Sequence, residues 1–136
     1  MIAIIPARGG SKGLPGKNTK LLKGIPLICH SIDAALKAKL ISRVVVSTDD
    51  EKIATIAKEC GAEIPFMRPQ ELAEDNSMVM DAYFYTLDRL AKESNTTISS
   101  FVALLPTVPL RLPEDIDNVI SVFASNNADS VISVTE

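Results

Sequence analysis

Short apolar runs alternate along the whole chain with longer stretches in which apolar residues recur every three or four positions. Ile2-Ala3-Ile4-Ile5 is an unbroken apolar run ended by Pro6 and a glycine-rich stretch, which predicts a first strand. Ile28, Ile32, Leu36 and Leu40 recur every four residues, the spacing of a helix with one buried face. Val44-Val45-Val46 is β-branched throughout and predicts a strand covered on both faces. Thr48 and Glu51 have capping-box spacing. The helix they would start carries Ile53, Ile56, Ala57 and Cys60 on one side and has Gly61 at its C-terminal cap. The alternation then repeats. Glu63 to Met67 predicts a short strand, placed at an edge by Pro65. Val79 to Leu90 predicts a helix, and Phe101 to Leu105 a buried strand. Pro113 to Ala124 predicts another helix, with proline and the acids Glu114 and Asp115 in its first turn and a stripe of Ile116, Val119, Ile120 and Phe123. Val131 to Val134 predicts a last strand.

Strand and helix in regular alternation predict an α/β fold, a mostly parallel sheet with helices on both faces. There is no internal repeat, low-complexity segment or interior linker. The chain ends at Thr135-Glu136, directly after a predicted strand with no helix to cover it, so a truncated sheet is expected.

Composition narrows the function. At 136 residues the chain fits one domain, and 46% hydrophobic with 23% charged residues is the balance of a globular protein. A net charge of −3 gives no ground for nucleic acid or an anionic membrane as partner. No apolar run approaches the roughly 20 residues of a membrane span, and Met1 to Pro6 lacks a signal peptide's basic start and apolar core. Cys29 and Cys60 show neither metal-ligand spacing nor a disulfide framework; they read as packing residues in a reducing cytoplasm.

The chemistry is concentrated in one loop, Pro6-Ala7-Arg8-Gly9-Gly10-Ser11-Lys12-Gly13-Leu14-Pro15-Gly16-Lys17-Asn18. It follows the first strand, so it lies at a carboxyl edge, where open α/β sheets bind ligands. Four glycines let the backbone come close to phosphate oxygens and turn N–H groups toward them. Arg8, Lys12 and Lys17 set three cations among those donors in an otherwise acidic chain. A polyphosphate is the ligand such a loop suits. A Walker A loop is excluded, because Ser11 stands five places before Gly16 and Asn18 follows the lysine. The dinucleotide fingerprint fails too, since the glycines fall at 9, 10, 13 and 16. The bland alternative is a flexible turn with a solvated basic face.

The run from Ile5 to Asn18 resembles the signature of the acylneuraminate cytidylyltransferase family, the CMP-sialic acid synthetases and their relatives. The likeness extends to Val46-Ser47-Thr48-Asp49-Asp50, to Phe66-Met67-Arg68-Pro69 with Glu71-Leu72-Ala73, and to Leu105-Pro106-Thr107-Val108-Pro109-Leu110-Arg111. The four segments occur in the family's order and cover nearly the whole chain. The first is highly specific; the others count together.

The resemblance implies a Rossmann-like sheet of the nucleotide-diphospho-sugar transferase type, with residues 1–136 as the amino-terminal, nucleotide-binding part of a single domain. It implies transfer of CMP from CTP to a nine-carbon sugar acid, with release of pyrophosphate and help from Mg²⁺, by a cytoplasmic homodimer. Arg8 and Lys17 would be catalytic by neutralising the triphosphate. Substrate contacts would come from Ala7, Gly9, Gly10, Ser11, Lys12 and Gly13 in the loop, Asn18 at the ribose, Arg68 at the cytosine, and Thr107 and Arg111 further on. The family's metal-binding aspartates, several sugar contacts and its dimerisation segment would lie beyond residue 136. Asp49 is open to two readings, a metal ligand at a strand end or, with Thr48 and Asp50, the start of a helix. Asp75 and Asp81 read as solvated or helix-terminal groups, and His30 as packed or half-exposed rather than a catalytic base. Two positions depart from the family: Leu105 stands where glutamine is frequent and Val108 where serine is. Both substitutions remove hydrogen-bonding groups from the sugar side, which leaves sialic, legionaminic and pseudaminic acids open. The alternatives are a nucleotide-binding module without chemistry, and a nucleotidyltransferase for another sugar such as Kdo.

Overall fold

The chain runs through β1 (Ile2–Pro6), a 3-10 turn at Lys17–Thr19, β2 (Leu21–Leu22), β3 (Ile25–Pro26) and helix α1 (Leu27–Lys37). It continues through β4 (Arg43–Ser47), α2 (Glu51–Glu59), a 3-10 turn at Gln70–Leu72, α3 (Val79–Ser94), β5 (Phe101–Ala103) and α4 (Pro113–Ser125). The structure is a computed structural model that describes residues 1–134; Thr135 and Glu136 lie outside the described residues.

β1 is the central strand of a three-stranded parallel sheet of order β4-β1-β5. On one side Ile2 to Pro6 pair in register with Arg43 to Ser47. On the other, Ile2, Ala3 and Ile4 pair with Phe101, Val102 and Ala103. Alternation along the strands then divides the core. Ala3, Ile5, Val44 and Val46 face a cluster built from Ile28 and Ile32 of α1, Ile53 and Ala57 of α2, and Ile116 and Ile120 of α4. Ile4 and Val45 are equally buried but belong to the other face, which α3 covers. There the Thr86 hydroxyl donates to Ser47 Oγ at 3.0 Å, and the Tyr83 and Phe101 rings lie 5.3 Å apart. Burying each isoleucine contributes about 1.5–3 kcal/mol. Helices thus cover both faces, as the alternation predicts.

Several elements differ from the sequence reading. α1 ends at Lys37, and Leu36 and Leu40 are exposed; the buried face is instead Ile28, Cys29, Ser31, Ile32, Ala34 and Ala35. Small residues take the inner positions because α1 packs against α2 and α4 as well as the sheet. The Glu63 to Met67 strand shrinks to a single parallel bridge between Val45 and Glu63, with Pro65 unable to donate the next bond. The predicted buried strand at Phe101 to Leu105 pairs over Phe101–Ala103 only and is an edge strand of the described sheet, with Phe101 and Val102 half-buried and Ala103 exposed. The helix at Val79 extends four residues further, to Ser94, and closes on Asn95 in the left-handed region (φ 48°). Val131 to Val134 forms no strand: nothing among the described residues pairs with it, and Ile132 and Val134 are 82% and 86% exposed. The β2–β3 hairpin turns on Lys23 and Gly24, both with positive φ; Lys-Gly is a weaker turn signal than Asn-Gly, and the sequence reading misses it.

Gly61 closes α2 as predicted, at φ 96°, with Ala62 N–H donating to Ala57 and Gly61 N–H to Lys58. The cysteines are a correction. Cys29 and Cys60 form a disulfide, with Cα atoms 5.7 Å apart, joining α1 to the end of α2. It depends on α1 and α2 lying side by side, which a sequence separation of 31 does not reveal. The support those residues lent to a reducing compartment is lost with it. Among the described residues no helix is long and apolar enough to cross a membrane.

Candidate functional site

From β1 the chain goes first to β4 on one side and later to β5 on the other. The carboxyl end of β1 is therefore the point where the sheet's winding reverses and an open α/β sheet leaves a crevice. The glycine-rich loop starts there. Ala7 is buried and its N–H donates to the Ser47 carbonyl at 2.9 Å, so the loop leaves the sheet in a fixed direction. Gly9 N–H donates to Asp49 Oδ1 at 3.0 Å. Asn18, only 7% exposed, donates from Nδ2 to the Arg8 carbonyl at 3.2 Å and ties the far end of the loop to its beginning. Gly16 sits in the left-handed region (φ 66°), a conformation that glycine adopts at no steric cost, and turns the chain into Lys17–Thr19. Between these anchors Gly10 and Gly13 are exposed, and neither has any atom within 4 Å of where a Cβ would stand.

The residues after β4 do three different jobs. Thr48 continues the extended chain: its carbonyl accepts the Arg68 N–H at 2.8 Å. The predicted cap at Thr48 is accordingly displaced by two residues, and Asp50 caps α2 by accepting the Ile53 N–H at 2.9 Å. Asp49 does neither. Its Oδ1 takes the Gly9 bond and lies 3.6 Å from Arg68 Nη2.

Arg68 is the most unusual group in the site. The residue is 6% exposed, its one ion pair among the described residues is the long one to Asp49, and its Nε is buried without a hydrogen-bond partner. Burial pushes its guanidinium below the usual arginine range, and Asp49 opposes that shift. A buried cation left short of acceptors is costly. Such a group calls for a ligand with acceptor atoms.

Asp75 is the residue that sequence reasoning misreads. It is not free in solvent but bridges two loop cations, accepting Lys12 Nζ at 2.8 Å and Arg8 Nη1 at 3.2 Å. The hydrogen bond from Lys12, then the charges of Lys12 and Arg8, hold its carboxyl below the ordinary aspartate range. Asp75, Ala73 and Glu74 face Gly10, Ser11 and Lys12 across a small cleft. Only the local pair Glu74-Asp75 hints at this in the sequence, and nothing there points to residue 8 or 12. Lys17 makes no ion pair among the described residues. Two cations of the loop thus share one carboxylate, which offsets only one of their two charges, and the third makes no ion pair among the described residues.

The structure brings the loop, Asp49, Arg68 and Asp75 together. Thr107 and Arg111 follow β5, the strand on the other side of β1; Thr107 is exposed, and no hydrogen bond or ion pair among the described residues joins either to the loop. Arg111 repeats the pattern of Arg68 more weakly, with a buried Nη1 lacking a partner and burial lowering its affinity for the proton. His30 is half-buried, and its Nε2 donates to the Leu22 carbonyl at 3.0 Å, a packing role. Asp81 stands in the first turn of α3. Among the described residues no group of three or more His, Cys, Asp or Glu is placed to hold a metal ion. With Asp49 committed to Gly9 and Arg68, and Asp50 to the α2 cap, these residues do not form a Mg²⁺ site.

The sequence profile of the cytidylyltransferase family matches residues 2–136. Among characterised relatives, the CMP-N,N′-diacetyllegionaminic acid synthase of Legionella pneumophila is 42% identical over 137 aligned residues, covering 99% of this chain and 57% of the relative. The N-acylneuraminate cytidylyltransferase of Escherichia coli O18:K1:H7 is 37% identical, covering 99% of this chain and 31% of the relative. The chain therefore spans from about a third to just over half the length of these two relatives. A solved CMP:2-keto-3-deoxy-manno-octonic acid synthetase complexed with CTP superposes with a TM-score of 0.78 at 24% identity, over 93% of this chain and 48% of that one. At that identity the likeness is one of fold.

Proposed function

The chain belongs to the cytidylyltransferase family, and from that premise we propose that it carries the nucleotide site of an enzyme that transfers CMP from CTP to a nine-carbon sugar acid. The observation that carries this reading is the pairing of a glycine-rich cationic loop at the carboxyl end of β1 with a buried arginine at the carboxyl end of the neighbouring β4, whose Nε lacks an acceptor. A loop of that kind suits a triphosphate. Cytosine offers two adjacent acceptors, O2 and N3, which suit the open donors of Arg68.

In the proposed reaction the oxygen of the sugar's anomeric hydroxyl attacks the α-phosphorus and its proton passes to solvent, while the bond to the bridging oxygen of the leaving pyrophosphate breaks. Arg8 and Lys17 neutralise the charge that builds on the phosphate oxygens, and the backbone from Gly10 to Gly13 cradles them; Ser11 and Lys12 add donors. The protein's contribution is positioning and charge stabilisation. Gly9 and Ala7 act through the loop's shape, because their N–H groups are spent on Asp49 and Ser47. Asn18 keeps Oδ1 for a ribose hydroxyl while Nδ2 braces Arg8. Thr107 and Arg111 belong to the sugar side. Legionaminic and N-acylneuraminic acids are the first acceptors to test, because relatives with those activities align along nearly all of this chain. Pseudaminic acid is the third. The family resemblance also carries the expectation of a cytoplasmic homodimer that uses Mg²⁺, but the described residues hold no site for that ion, and the Cys29–Cys60 disulfide lends a reducing compartment no support.

Pyrophosphate release from CTP, assayed with each of the three sugar acids, tests the proposal on the enzyme that contains this chain. Release with at least one acid and CTP is expected. Tight CTP binding with no release from any acid would instead favour a binding module without chemistry.

A further inference from the structure

We propose that Asp49 is a positioning residue that couples the phosphate loop to the base-reading arginine through one carboxylate oxygen. Oδ1 accepts the Gly9 N–H at 3.0 Å and faces Arg68 Nη2 at 3.6 Å. The carboxylate is not needed to begin α2, a task Asp50 performs. Nor is it simply solvated, since its side chain is 15% exposed against 4% for Arg68.

Each contact has a consequence at the site. Gly9 lies between Arg8 and the open stretch at Gly10, so anchoring its N–H fixes where the cationic side chain departs and where the free backbone donors begin. Arg68 is held among buried groups by a single long ion pair, so its guanidinium has no second partner among the described residues that fixes its orientation. The Arg68 backbone, bonded to Thr48, places the residue; Asp49 aims its head. Triphosphate and base are therefore bound by parts that share one acceptor, and a change there disturbs both. This rests on the CTP reading above.

The two contacts separate by substitution. Asp49→Asn keeps an oxygen for Gly9 N–H but removes the charge that Arg68 faces. Asp49→Ala removes both. Calorimetric titration with inorganic tripolyphosphate reads the loop, and the affinity ratio of CTP to ATP reads the base. Asp49→Asn should leave tripolyphosphate binding within about 2-fold of wild type while the CTP preference falls by about 10-fold, the low end of what one largely buried charge pair contributes. Asp49→Ala should lose the preference and weaken tripolyphosphate by about 10-fold as well. In an Arg68→Ala background Asp49→Asn should cost no further preference, a coupling that a merely structural role would not produce. A wild-type chain without CTP preference overturns the nucleotide reading, and this inference with it. A selective wild type whose Asp49→Asn variant stays equally selective overturns the inference alone.

Discussion

Gly9→Ala is the substitution whose effect the structure defines most closely. A Cβ at Gly9 would stand 2.7 Å from Asp50 Oδ2, 2.9 Å from its Cβ and 3.2 Å from its Cγ. Rotating the Asp50 side chain relieves the first and third contacts but takes the carboxylate off the Ile53 N–H. Losing such a cap costs about 1 kcal/mol. The 2.9 Å contact to Asp50 Cβ survives any rotation, so the backbone of the loop or of the start of α2 must also move. Overpacking of that kind costs about 1–3 kcal/mol. The sum is about 2–4 kcal/mol, and a domain of this size would lose roughly 10 °C in Tm. Shifting the loop also lengthens the Gly9–Asp49 bond, so tripolyphosphate affinity should fall with stability. Gly10→Ala is the control, since its Cβ meets no atom within 4 Å. Thermal melts and calorimetry on both variants decide the matter. Equal and small effects at the two glycines would refute the reasoning.

Lys17→Ala in the enzyme should reduce turnover by about 10²–10³, the usual cost of one preorganised transition-state donor; Lys17→Arg should rescue little, and Lys12→Ala should cost less than Lys17→Ala. Steady-state pyrophosphate release checks all three. Asp75→Asn should tighten tripolyphosphate binding by about two- to five-fold, because the phosphate no longer competes with an exposed carboxylate for Arg8 and Lys12. The sign in pH follows from the lowered Asp75 pKa: the two ion pairs persist above the ordinary aspartate range and are lost as pH falls through the depressed value. The affinity gain from Asp75→Asn should therefore be constant near neutrality and shrink only in acid, as titrations at several pH values would show. Gly61→Ala forces φ 96° on an L-residue and sets a Cβ 3.0 Å from Leu36 Cδ1. It should cost about 1–2 kcal/mol in a denaturant melt and leave tripolyphosphate binding unchanged.

The parts legible in the sequence are those governed by local pattern. The β-branched run at Val44, the apolar run at Ile2 and the proline-led start of α4 each specify an element by themselves, and their alternation fixes the layers. The glycine-rich loop is legible for the same reason, since its chemistry is written in consecutive residues. What escaped depends on the path of the chain between elements. Cys29 meets Cys60, Asp75 meets Arg8 and Lys12, and Asp49 meets Gly9 and Arg68 because β4 pairs beside β1 and brings the segments that follow the two strands together. Leu36 and Leu40 misled because a four-residue period fits a buried stripe, while the helix chose the neighbouring alanines to approach two other helices closely. The Val131 run failed as a strand because β-branching favours extension but supplies no hydrogen-bonded neighbour.

If the proposed function holds, the loop and Arg68 together form one site for a cytidine triphosphate. Calorimetric titration of the chain with CTP, UTP, ATP and GTP in the same buffer tests this directly. CTP should bind most tightly, both purines much more weakly, and Arg68→Ala should erase the difference while keeping the binding common to all four. Equal affinity for every triphosphate in the wild-type chain would contradict it, leaving a loop that reads phosphates alone and an Arg68 without its assigned partner.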